Sequence, residues 1–231
     1  VPLINSPTEL TTSATDALLA IECTIIITAL LRSATTNRWR TNLWCSIFGL
    51  LAIASFLGAL IHALEMPKSM RIALWTPLYL SLGILVVLFI VGAVADWRGR
   101  VAAMRLVPWG IGVSAAFFGL TALLGGKFIV FIIYAATIML SALAIYTFLV
   151  ATHRLKGAAV VALAILLNLA GTAVQASNIS LHPIVPFDHN GLFHLVQMLS
   201  TAILGWGLHL GMGSAPRREF ETSPIVPHSS P

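Results

Sequence analysis

"FIVFIIYAATIMLSALAIYTFLVAT", Phe128 to Thr152, holds 25 residues without one charged side chain, between Lys127 and the pair His153-Arg154. About 20 apolar residues suffice for a helix to cross the hydrocarbon core of a bilayer. In lipid every backbone N–H and C=O needs an internal partner, which leaves helices or closed barrels. A run this long, with no alternation of polar and apolar residues, predicts a transmembrane helix.

The rest of the chain repeats that pattern. Of its 231 residues 58% are hydrophobic and 9% charged, where a soluble domain carries about a quarter charged residues. Charges, Pro and Gly divide it into seven spans: Thr12–Leu31, Asn42–Leu64, Ile72–Ala95, Leu106–Gly125, Phe128–Thr152, Gly157–Ser177 and Asn190–Gly213. Their connections are short, so neighbours should pack antiparallel in one bundle. The expectation is an all-α polytopic membrane protein. Residues 1–213 form a single seven-transmembrane-helix bundle, and 214–231 form a polar, Pro/Ser-rich tail. No Lys or Arg precedes Arg32, so the start lacks the basic region of a cleaved signal peptide, and Val1 is expected to follow a removed initiator Met.

Lys and Arg set the orientation. Arg32, Arg38, Arg40, Arg98, Arg100, Arg105, Arg154, Lys156, Arg217 and Arg218 fall on one side, and Lys68, Arg71 and Lys127 on the other. Ten against three places the C-terminus in the cytoplasm and the N-terminus outside. The protein is expected in the plasma membrane or an equivalent internal membrane. The net charge of +5 therefore marks helix ends and gives no reason to expect nucleic acid. Trp39, Trp44, Trp75, Trp97 and Trp109 lie near span ends, as an aromatic belt predicts, and Trp206 does not. Cys23 and Cys45 are expected to be unpaired thiols.

Polar groups inside a membrane are costly and mark function by default. In the second span Ser55 and His62 share a face, with Glu65 a turn beyond. On the seventh, His194, Gln197, Thr201, Gly205 and His209 form one stripe; on the sixth, Asn168, Thr172, Gln175 and Asn178 form another. With Asp16 opening the first span, helices 1, 2, 6 and 7 should converge on a polar pocket in the outer third of the bilayer. "DHNGLFH", Asp188 to His194, makes one of its walls. Imidazoles and a carboxylate suit zinc, whose catalytic sites use three protein ligands and a water. Candidate ligands are His62, His194 and either His189 or Asp16. His189 and His194 are about 140° apart on a continuous helix, so they converge only if His189 lies on the entering loop, with Asp188 or Asn190 as N-cap. Asp16 also fits a capping box, "SATD", at the first turn. Glu22, in mid-membrane, is either a protonated partner of another helix or a second site, and His153 and His209 fall near the cytoplasmic ends.

The second-span His62 after "SFLGAL" and the histidine pair opening the last span resemble one group. It is the seven-helix superfamily that joins alkaline ceramidases with the progestin and adipoQ receptors. The resemblance implies a zinc ion on His62, His189 and His194, and hydrolysis of a lipid amide or ester from the outer leaflet. This chain differs in having Gly58 where the superfamily has a Ser, and a spacing of five from His189 to His194 in place of four. "RIALWTPLYLS" holds no acid where the superfamily carries an Asp. Asp16, Glu65 and Ser55 are then the remaining catalytic candidates, with Gln175, Asn178, Asp188 and Gln197 around them.

Two other readings stand beside the hydrolase. The pocket could bind a lipid or small apolar ligand without turnover, in a receptor or an accessory subunit with partner membrane subunits. Alternatively His62 and His194 could be axial ligands of haem or a chlorin. Retinal proteins are excluded, because Gly191 to Gly213 has no Lys for a Schiff base.

Overall fold

A computed structural model describes residues 2–33, 37–182 and 184–212, so the expected tail 214–231 lies outside the described residues. The elements of the described residues are all helices: α1 Pro7–Ser33, α2 Arg38–Ala63, α3 Lys68–Leu123, α4 Ile129–Ala151, α5 Ala158–Gln175 and α6 His189–Met212. All six are long and apolar enough to cross a membrane.

The helix ends follow local chemistry. The Asn37 side chain accepts from the Arg40 N–H at 3.0 Å and opens α2. Asp188 caps α6 by accepting from the Gly191 N–H at 2.9 Å, which satisfies one of the orphan donors of a first turn. α1 begins at Pro7, a full turn before the expected span, because Pro is at home in a first turn where its missing N–H costs nothing. Asp16 therefore sits in the third turn of α1, and the capping-box reading of "SATD" is corrected.

The expected third and fourth spans appear as the two arms of α3, which breaks at Gly99 (φ 82, ψ 175). Only glycine adopts that backbone without strain, so one residue reverses the chain. The arms then pack on each other. Phe117 lies over Gly83, Val87 meets Gly110, and the Ser114 hydroxyl donates to the Gly83 carbonyl at 3.3 Å. Tyr134 of α4 donates to the same carbonyl at 2.8 Å.

Each helix packs on its neighbour in the chain, and α1 packs on α6, so the helices close a ring. The main core lies toward the arginine-rich end and includes Leu19, Trp44, Phe48, Tyr146 and Leu208. Trp44 is fully buried, edge-on to Phe89 with centroids 5.2 Å apart and its ring against Gly92, so it belongs to the core and not to the expected belt. Beside it, Asp96 of α3 accepts from Arg40 Nε at 2.5 Å, Arg40 Nη2 at 2.9 Å and the Tyr146 hydroxyl at 2.8 Å. Three helices are tied there by one carboxylate.

Candidate functional site

The opposite end of the ring is organised by α1. Glu9, Ser13 and Asp16 step by four and three residues and so face α2, while Thr11 and Thr15 face α6. Glu9 Oε2 lies 2.6 Å from His62 Nδ1. The Ser13 hydroxyl donates to the Ala59 carbonyl at 2.8 Å. Toward α6, Thr11 donates to the Pro186 carbonyl at 2.7 Å and Thr12 to Asp188 Oδ1 at 3.2 Å. The Thr15 hydroxyl lies 3.2 Å from His194 Nδ1.

Asp16 stands where α1, α2 and α6 meet. Its side chain is buried, with Oδ1 3.5 Å from His194 Nε2. Its carboxylate also rests on Gly58, where a Cβ would come within 2.6 Å of Oδ2. Glycine at position 58 is what leaves room for that carboxylate.

Where α5 meets α6, three polar side chains form a relay. Asn190 Nδ2 donates to Asp188 Oδ2 at 3.4 Å, and Gln175 Nε2 donates to Asn190 Oδ1 at 2.5 Å. Gln175 Oε1 is buried with no partner among the described residues.

These groups border a cavity of about 510 Å³. Asp16, Ser55, His62, His189, His194 and Gln197 line it, and so do Asn168, Thr172 and Gln175 of α5. Side chains of the expected first, second, sixth and seventh spans thus come together at one cavity. On α2 the lining runs from His62 back to Ile47, about 22 Å along the helix. Polar residues cluster at the histidine end, while Ile47, Phe48, Leu85, Phe89 and Met139 make an apolar far wall.

Some expected members fall elsewhere. Glu65 is exposed and does not line the cavity, and Asn178 is exposed beyond the end of α5. Asp188 is also outside the lining, occupied with capping α6. The α6 stripe divides: Thr201 reaches the cavity, Gly205 packs on Ile26 of α1, and His209 is exposed. A straight helix drifts away from any fixed stripe, since 3.6 residues per turn does not divide into steps of four. His189 is the first residue of α6, next to its cap, and shares the cavity with His194. Glu22 is half-buried on α1 away from the cavity, with Oε2 unpartnered among the described residues.

Sequence reasoning did not single out Glu9, Thr12 and Thr15. A signal existed: "TELTTSATD", Thr8 to Asp16, is dense in short polar side chains at the entrance of an apolar helix. Among the described residues no three His, Cys, Asp or Glu side chains group closely enough to hold a metal ion. His62, His189 and His194 thus share a cavity without sharing a coordination sphere.

No curated protein and no solved structure matches the chain. The family model described as "Family of unknown function (DUF6962)" matches residues 11–212, from the polar face of α1 to the end of α6. With most of its length inside that match, the chain belongs to this family.

Proposed function

We propose that this protein crosses the membrane seven times, N-terminus outside, and binds an amphipathic lipid in its central cavity. One observation carries the reading: a single cavity has polar groups at one end and apolar walls along the rest. A ligand with a polar head and a hydrocarbon tail matches both parts, since polar groups are needed to fix orientation and apolar lining to hold bulk. The two arms of α3 supply the third and fourth crossings, reversing at Gly99 beside Arg98 and Arg100. Those arginines suit a cytoplasmic turn.

Lipid co-purification tests the proposal. Protein extracted in mild detergent is expected to carry about one amphipathic lipid per chain by native mass spectrometry. Ala135→Trp, which fills the apolar part of the cavity, is expected to lose it. Folded wild-type protein free of bound lipid, and unable to take one up, would overturn the reading.

A second reading, zinc-dependent hydrolysis of a lipid amide or ester, is favoured by one specific feature. His62 and His194 each have Nδ1 held by an oxygen, of Glu9 and Thr15 respectively. Metal-ligating histidines are commonly fixed in this way through the ring nitrogen that does not face the metal. The placed side chains do not complete the three ligands of a catalytic zinc. Elemental analysis of the wild type beside His62→Ala/His194→Ala decides: one zinc per chain, lost in the variant, supports the hydrolase, and metal-free folded protein removes it.

A further inference from the structure

The relay at the α5–α6 junction has a direction. Asp188 is an acceptor: Oδ1 takes the Gly191 N–H and the Thr12 hydroxyl, and Oδ2 takes Asn190 Nδ2. Because Asn190 must turn its NH₂ toward that carboxylate, its Oδ1 faces Gln175. Gln175 must in turn present its NH₂ to Asn190, so its own carbonyl oxygen is the atom left over. That oxygen is buried and unpartnered among the described residues, on a side chain that lines the polar end of the cavity. Neither amide can flip without setting two donors, or two acceptors, against each other.

We infer that Gln175 is the specificity-determining acceptor of the cavity, selecting amphiphiles whose head carries a neutral hydrogen-bond donor, a hydroxyl or an N–H. A head offering only acceptors, such as an ester, leaves Oε1 unsatisfied, and a buried acceptor without a donor is penalised more than a missing hydrogen bond. The apolar path sets the tail. The lining from His62 at the polar end to Ile47, about 22 Å, spans about 18 bonds at about 1.2 Å gained per bond in an extended chain. That takes a polar head and a single tail of about sixteen carbons. The inference rests on the amphipathic-lipid reading and adds the class of head group.

The probes are hexadecan-1-ol, hexadecanamide and methyl hexadecanoate, titrated into purified protein by competition with a fluorescent long-chain alcohol. Wild type is expected to hold the alcohol and the amide about tenfold more tightly than the ester. Gln175→Leu removes the acceptor and is expected to bring the three probes level. Asn190→Ala releases the amide to rotate and is expected to shrink the preference at least threefold, and it decides the matter if Gln175→Leu does not fold. Equal affinities in wild type, or an undiminished preference in a folded variant, would overturn the inference while leaving the lipid-binding reading intact. Failure of wild type to bind any of the three would remove both.

Discussion

At the arginine end of the bundle, Asp96 accepts from Arg40 twice and from Tyr146 once, and its side chain is 1% exposed. At the histidine end, Asp16 is nearly as buried but meets its nearest cation candidate, His194 Nε2, only at 3.5 Å. Both are carboxylates inside long apolar helices, a costly position that needs an explanation. The first is explained within the protein: it ties α2, α3 and α4 together and borders no described cavity. The second borders the cavity, with His194 Nε2 beside it as the nearest cation candidate. Burial alone therefore does not distinguish a structural charge from a functional one. The number of its partners and access to a cavity do.

The contrast is broken most strongly at Asp96. Asp96→Ala leaves the Arg40 guanidinium buried without its carboxylate, which costs about 3–5 kcal/mol. A large fall in the thermal unfolding midpoint in detergent is expected, while Asp16→Asn should shift it little and act on lipid binding. Equal destabilisation by the two substitutions would abolish the distinction. Gly58→Leu comes next. Its side chain must displace the Asp16 carboxylate, with overpacking costs of about 1–3 kcal/mol, and at least tenfold weaker lipid binding is expected by titration.

Thr15→Val removes the hydroxyl beside His194 Nδ1. A loss of about 1 kcal/mol is expected, read as a severalfold change in lipid affinity with the fold unchanged by circular dichroism. Glu9→Gln is smaller still, because the carboxylate that meets His62 is 37% exposed; exposed pairs are worth about 0–1 kcal/mol. Glu65→Gln, outside the cavity, is expected to change neither stability nor binding, and an effect as large as that of Thr15→Val would redraw the site.

The helices and the end of the bundle that holds the cavity were legible in sequence because each rests on a local property. Apolar length marks a span, and a polar residue within it marks an interior face. His62, His194, Gln175 and Gln197 were found in this way. Glu9 and Thr12 were not, because they looked like the hydrophilic approach to a helix that in fact starts at Pro7. The Asp96 knot was missed for a related reason: next to Arg98 and Arg100 it reads as one more charge at a helix end. Glu65 was over-read, since one turn past His62 the chain has already left the helix at Ala63. Pairings between distant segments, such as Thr15 with His194, follow from ring closure, and no local pattern encodes that.

That closure brings α1 against α6, the first and the last of the described helices. Thr11, Thr12, Thr15 and Asp16 of α1 find partners in α6 or just before it, some 175 to 179 positions later in the chain. At about 5–20 residues per second of synthesis, α1 waits on the order of 10–35 s before those partners exist. Until then Asp16 lacks its His194 neighbour, while Thr11 and Thr15 hold only backbone carbonyls of their own helix. Only a chain that has reached α6 supplies those partners, so the site's own polarity distinguishes it from one cut short before α6.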